Sequence, residues 1–263
     1  MGHVASVYLM RRYHVQLDDG DAGRYVLLPG DPARCELIAQ RFDGARRIAS
    51  HREYTTYAGT LDGERVAVTS TGIGGPSTAI AVEELCSVGA QTLIRVGTCG
   101  SMTTRLHPGD VVIVQAAVRD DGTTHRYVPA AFPAVAHLDV VNALAGAAGA
   151  QARSHATGVV VSTDSFYAQR NADTMPAEAE LRARWQAWQR SGCIAVEMEC
   201  STVLVVSAVR GMRAGAVLAV IDSLAADDEP MPEPGRLPLD AALDVGVDGL
   251  RRLIAADRRN AVR

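Results

Sequence analysis

Three arginines stand where an anion would be met. Arg34 lies in the first turn of the helix that follows Leu28-Pro29-Gly30-Asp31, and Gly30 lets backbone approach an anion closely. Arg95 sits inside the apolar run Leu93-Ile94-Arg95-Val96-Gly97 with no acid adjacent. A lone guanidinium there is costly unless it meets an anion. Thr98 adds a hydroxyl and a backbone N–H beside it. Arg52, within Ser50-His51-Arg52-Glu53-Tyr54, is the third candidate. Three guanidinium forks match a phosphate dianion. Taken singly, Arg34 and Arg52 could as well pair with a nearby acid.

A second cluster is Ala195-Val196-Glu197-Met198-Glu199. In extended conformation, carboxylates two apart point to one face and could accept hydrogen bonds from vicinal sugar hydroxyls. The alternative is a helix N-terminus enriched in acids. Asp222 ends the run Ala216–Ile221, where it could be a catalytic acid or a helix cap. The stretch Gly72–Gly75 fails the spacing of both the dinucleotide and the P-loop fingerprints.

The elements that must carry these residues alternate. Strands are expected at Tyr25–Leu28, Thr55–Leu61, Arg65–Ser70, Leu93–Val96, Val111–Val114, Val159–Val161 and Val217–Ile221. Helices are expected from Pro32, over Thr78–Val88, Ser201–Arg210 and Leu239–Arg258. This order argues for an α/β layered fold with a parallel or mixed sheet. The 263 residues show no linker or repeat, so a single domain over 1–263 is expected. The Pro-rich and acidic Ala225–Pro238 reads as a mobile loop, and Gln169–Pro176 as a second variable stretch.

Composition narrows the class. A formal net charge of -4 gives no reason to expect nucleic acid or anionic membrane as partner. Five cysteines without a CxxC pair read as buried thiols in a reducing compartment. The seven histidines lack metal-ligand spacing, and no metal is expected. With no long apolar run or cleavable leader, a soluble cytoplasmic protein is expected.

Together, LPGDPAR, SHREYTT, STGIGGPSTAIAVEEL, IRVGTCGS, PGDVV, FPAV, STDSFY and AVEMECSTV, in that order, resemble the family of uridine phosphorylase and the hexameric-type purine nucleoside phosphorylases. The resemblance implies a single-domain three-layer α/β/α fold around a mixed, barrel-like sheet. It implies phosphorolysis of nucleosides to free base and pentose 1-phosphate, with inorganic phosphate as co-substrate and no cofactor. It also implies a homo-oligomer with a dimer as the minimal active unit, built up into a hexamer. Carried over by motif, Gly30, Arg34, Arg95 and Thr98 would bind phosphate, and Arg52 would be lent by a neighbouring subunit. Glu199, with Met198 and Glu197, would hold the ribose hydroxyls, and His14 would reach the sugar across the dimer. Cys99, Phe166, Gln169, Arg170, Val196 and Asp222 would border the base.

The base is where the pattern divides. Uridine enzymes of the family carry Gln-x-Arg after Phe-Tyr, whereas Gln169 and Arg170 are adjacent here. The arginine that follows their last strand is replaced by Asp222-Ser223-Leu224. Asp222 stands near the aspartate that assists N7 of a purine leaving group. Purine nucleosides are therefore the expected substrates, with Asp222 and Arg95 as catalytic groups. Uridine is the alternative; the three arginines disfavour a hydrolytic nucleosidase, and the intact carboxylate and arginine sets disfavour an idle protein that only binds nucleosides or phosphate.

Overall fold

The structure is a computed structural model and describes residues 11–224, 233 and 237–261. Its elements in chain order are β1 (Tyr25–Leu28), α1 (Ala33–Ala39), β2 (Asp43–His51), β3 (Tyr54–Leu61), β4 (Glu64–Thr69), α2 (Gly75–Ser87) and β5 (Thr92–Ser101). There follow β6 (Val111–Asp120), β7 (Ala134–Val135), α3 (Leu138–Ala150), β8 (His155–Thr163), α4 (Phe166–Arg170) and α5 (Glu178–Arg190). The chain closes with β9 (Ala195–Glu197), α6 (Cys200–Val209), β10 (Arg213–Ser223) and α7 (Asp240–Ala261).

The strands form one mixed sheet in the order β10-β6-β8-β9-β5-β1-β4-β3-β2. Since β10 also pairs with β5, five strands close on themselves as a barrel, β1, β4, β3 and β2 extend from it, and the short β7 pairs with β6. This is the mixed, barrel-like α/β fold that the resemblance implies.

Alternation along the strands gives the sheet two apolar faces. Val26, Leu28, Leu93, Val112 and Leu218 join one core with Ala79, Val82 and Leu85 of α2 and Val203–Val206 of α6. Tyr25, Leu27, Ile94, Ile113 and Val217 join the other with α1, α3 and α7. Helix α7 presents Leu243, Val247, Leu250 and Ile254, an i, i+4, i+7, i+11 stripe.

Most expected elements fall within a few residues of their bounds. Helix α2 starts earlier than its apolar spacing suggests, at Gly75. Gly74 takes φ +85° to release the chain from the preceding loop, and Pro76 lies in the first turn. The stretch Gln169–Pro176 is not simply a loop, since α4 runs to Arg170 and a 3₁₀ turn spans Ala172–Thr174. The loop expected at Ala225–Pro238 lies outside the described residues except for Glu233, Leu237 and Pro238. Among the described residues no helix is long and apolar enough to cross a membrane.

Candidate active site

The pairing register brings the chemistry-bearing residues to one end of the sheet. Leu28, two residues before Gly30, lies opposite Arg95. Gly100 lies opposite both Val196 and Asp222, and Ser162 opposite Glu197. These are the carboxyl ends of parallel β1, β5, β8 and β10, the place where open α/β sheets bind ligands. A cavity of about 700 Å³ opens there.

At one side of this cavity Arg95 is 3 % exposed. Its Nε donates to Glu197 Oε2 at 3.0 Å, and Nη2 meets Glu199 Oε2 at 2.5 Å. Burial alone would lower the Arg95 pKa, but Glu199 and Glu197 more than offset it and hold it above its ordinary value. Nη1 is buried and has no hydrogen-bond partner among the described residues. Arg34 lines the same cavity. Burial lowers its pKa; Asp31 opposes the shift, and the like charge of Arg95 adds to it. Two guanidiniums thus reach one cavity, with Arg95 paired to Glu197 and Glu199, Arg34 Nε 3.9 Å from Asp31 Oδ2, and Arg95 Nη1 as the donor without a partner among the described residues. Gly30 and Thr98 border it.

The Glu-Met-Glu segment joins the two local conformations considered from its sequence, a strand end and a helix N-terminus. Ala195–Glu197 is extended, and both carboxylates turn toward Arg95. Glu197 also receives the N–H groups of Glu199 and Cys200 at 2.8 and 2.9 Å, and so caps α6. Glu199 Oε1 accepts from the Gly74 N–H at 2.6 Å, at the N-terminus of α2. Burial raises the Glu199 pKa, and Arg95 pulls it back. Met198 lines the cavity beside them.

The cavity is further lined by Phe166, Gln169, Arg170, Val196 and Cys99, with Ile221 and Leu224. Burial pushes the Cys99 thiol up, so it stands there as a small neutral group. Gln169 Nε2 donates to Thr163 Oγ1 at 2.9 Å, and Arg170 stacks over the Phe166 ring at 4.6 Å. Adjacency does not part Gln169 from Arg170 as it would in a strand, because α4 is helical and both flank the cavity.

Three of the expected residues are not among those lining the cavity. Asp222 is 2 % exposed, holds Arg170 Nη2 at 2.6 Å, and lies against Gly100. His14 is bonded to Glu84, through Nδ1 at 2.7 Å and its N–H at 2.9 Å. Arg52 is exposed at a left-handed turn, φ +53°, between β2 and β3. His51, next to it, contacts the His14 carbonyl at 3.1 Å, so His14 and Arg52 share one patch. Sequence reasoning passed over Glu53, Thr163 and Ser165, which line the cavity. Of these, Thr163 and Ser165 lie in the quoted STDSFY stretch; their hydroxyls gave no spacing signal.

The family model of the phosphorylase superfamily matches residues 24–236. The chain belongs to the phosphorylase superfamily. Among curated relatives of this phosphorylase, the uridine phosphorylase of Treponema pallidum is 45 % identical over 245 residues, 93 % of this chain and 95 % of that one. The uridine phosphorylase of Escherichia coli is 38 % identical over 247 residues, 92 % and 98 % of the two chains. The guanosine phosphorylase of Halorubrum lacusprofundi is 32 % identical over 252 residues, 93 % and 100 %. These comparisons set the phosphorylase among nucleoside phosphorylases. They give no support to the expected purine preference over uridine.

Proposed function

We propose that the chain is a uridine phosphorylase, which exchanges the N-glycosidic bond of uridine for a bond to inorganic phosphate. The observation that carries this is that Gln169 and Arg170 both line the cavity that holds Arg34 and Arg95. The uracil edge offers O2, N3–H and O4. A glutamine amide can pair with N3–H and a neighbouring carbonyl, while an arginine donates to the other carbonyl. Curated relatives named uridine phosphorylase, over more than nine-tenths of the chain, support the same reading.

Each group then has a chemical task. Gly30, Arg34, Arg95 and Thr98 hold phosphate beneath C1′, joined by Arg52 from a neighbouring subunit. Glu199 and Met198 hold the ribose, with His14 reaching across the dimer. As the glycosidic bond stretches, the sugar becomes oxocarbenium-like and the phosphate stabilises and then captures it. The departing uracil gains negative charge, which Arg170 meets while Phe166 stacks on the ring. Cys99 and Val196 close the base end. No metal or organic cofactor enters this scheme, and the assembly is a dimer or a hexamer of three dimers.

Asp222 takes a different role from the purine acid expected of it. Its Oδ2 is committed to Arg170 and it stands behind the lining, so it orients the arginine. Phosphorolysis of uridine, inosine and guanosine, measured side by side with and without phosphate, tests the proposal. Phosphate-dependent uracil release is expected to dominate. Purine release with no uridine turnover would overturn it, as would product formation that ignores phosphate.

A further inference from the structure

Glu197 stands at the cavity wall, yet its oxygens are engaged by the protein. Oε1 accepts from the Ser162 hydroxyl and from the Cys200 N–H. Oε2 accepts from Arg95 Nε at 3.0 Å and from the Glu199 N–H at 2.8 Å. The Cys200 N–H is shared between both oxygens, at 2.9 and 3.0 Å, and so does not fix the rotation of the carboxylate. Ser162 on one side, and Arg95 with the Glu199 N–H on the other, do fix it.

The Ser162 hydroxyl is itself oriented. It accepts from the Ser201 N–H at 2.8 Å, which leaves its proton directed at Glu197. The Ser201 hydroxyl donates to Asp121 Oδ2 at 2.7 Å. Asp121 is anchored in turn by the Thr124 hydroxyl at 2.8 Å and the Thr124 N–H at 2.7 Å. Ser162, Ser201, Asp121 and Glu197 are all buried. Hydrogen bonds to a carboxylate in so dry a place are strong, and a missing donor is felt in full.

We propose that Ser162, Ser201 and Asp121 are positioning residues that act through Glu197 to aim the Arg95 guanidinium, and that they thereby set the affinity for phosphate. With Nε held by Glu197 and Nη2 by Glu199, the unpartnered Nη1 is the donor left for a ligand. A turn of the Glu197 carboxylate would release Nε and swing that donor away. This rests on the reading of Arg95 as a phosphate ligand.

The test is steady-state kinetics on the intact oligomer, with phosphate and uridine varied separately, for Ser162→Ala, Glu197→Gln and the double variant. Ser162→Ala is expected to raise the phosphate KM on the order of tenfold, the worth of one hydrogen bond to a charged group, and the uridine KM less than about threefold. The double variant is expected to be no worse than Glu197→Gln alone, since both changes break one linkage. Equal rises in both KM values, an unchanged phosphate KM, or additive effects would overturn the proposal. Should Ser162→Ala fail to fold, Ser201→Ala removes only the link to Asp121 and is expected to raise the phosphate KM about threefold. No change there would overturn the role of Asp121 and Ser201. Arg95→Lys is the separate control: a phosphate KM untouched by that change would remove Arg95 itself from the phosphate site.

Discussion

Arg95 folds back along its own strand, and the residue that permits this is Gly97. A Cβ at Gly97 would lie 2.7 Å from Arg95 Cζ and 3.0 Å from Leu218 Cδ2. Residues two apart share a face of a strand, so the guanidinium lies flat over the glycine and reaches Glu197 and Glu199. Gly97→Ala should therefore lift the guanidinium away from its carboxylates. Displacement of a positioned group by about 1 Å lowers activity by about 100-fold, and initial rates at limiting phosphate would record the drop. A variant with unaltered kcat/KM for phosphate would show that the close approach is not needed. Asp222→Ala would leave Arg170 without its carboxylate partner, in contact with the Phe166 ring alone. We expect a uridine KM raised about tenfold with the phosphate KM little changed. The reverse split would place Asp222 at the phosphate end. Arg95 was legible from sequence because a guanidinium in an apolar run demands an anion. The Asp222–Arg170 pair was not, because 52 positions separate the partners and an acid at a strand end looks alike whether it faces a ligand or an arginine.

Elements were legible in proportion to how regularly they bury apolar side chains. Strands β1, β5 and β10 are almost wholly buried and read as apolar runs. Strand β2 is mostly exposed, with the pattern DGARRIASH, and gives no alternation to read. Helix α5 has no buried residue, and is supported by the i, i+4 pairs Arg182–Glu178 and Arg184–Glu180. Helix α3 is a run of small residues whose meaning appears only against α7: a Cβ on Gly249 would lie 2.6 Å from Leu144 Cδ2. Leu144 is fully buried in that contact, and Leu144→Ala should cost about 2–5 kcal/mol in urea unfolding with kcat preserved at low temperature. The far end of the molecule is clasped by Asp257 of α7, which takes Arg213 Nη1 at 2.9 Å and the Tyr25 hydroxyl at 2.6 Å. Its hydrogen bond from Arg213 holds its pKa below the usual carboxylate value. A depressed folded pKa means stability that is present above the unfolded value of about 3.9 and lost as pH falls through the folded one. Asp257→Asn should thus be less stable than the parent at pH 6, with the gap narrowing below about pH 4 in thermal melts. A gap independent of pH would assign the effect to packing.

On the scale of the whole molecule, the patch formed by His14, His51 and Arg52 lies off the cavity, although the motifs that contain His14 and Arg52 imply ligands of sugar and phosphate. Arg52 sits on a non-glycine left-handed turn at the tip of β2 and β3, where its side chain is exposed. Tyr13 beside the patch is 70 % exposed, a large apolar surface next to a projecting cation. Both features suit a two-fold dimer in which each subunit lends this patch to the cavity of the other. In that arrangement a subunit's own Arg95 and its neighbour's Arg52 serve one phosphate. An Arg52→Ala chain and an Arg95→Ala chain are each expected to be nearly inactive as pure oligomers. Mixed by co-expression, a dimer with one of each would have one site with both arginines and one site with neither. Random pairing makes half of the dimers mixed, so the mixture should recover about a quarter of the parental activity. If Arg52 served its own subunit, every site in every pairing would lack one arginine, and the mixture would stay as inactive as its parts. The rate of the mixture thus decides whether this active site belongs to one chain or to two.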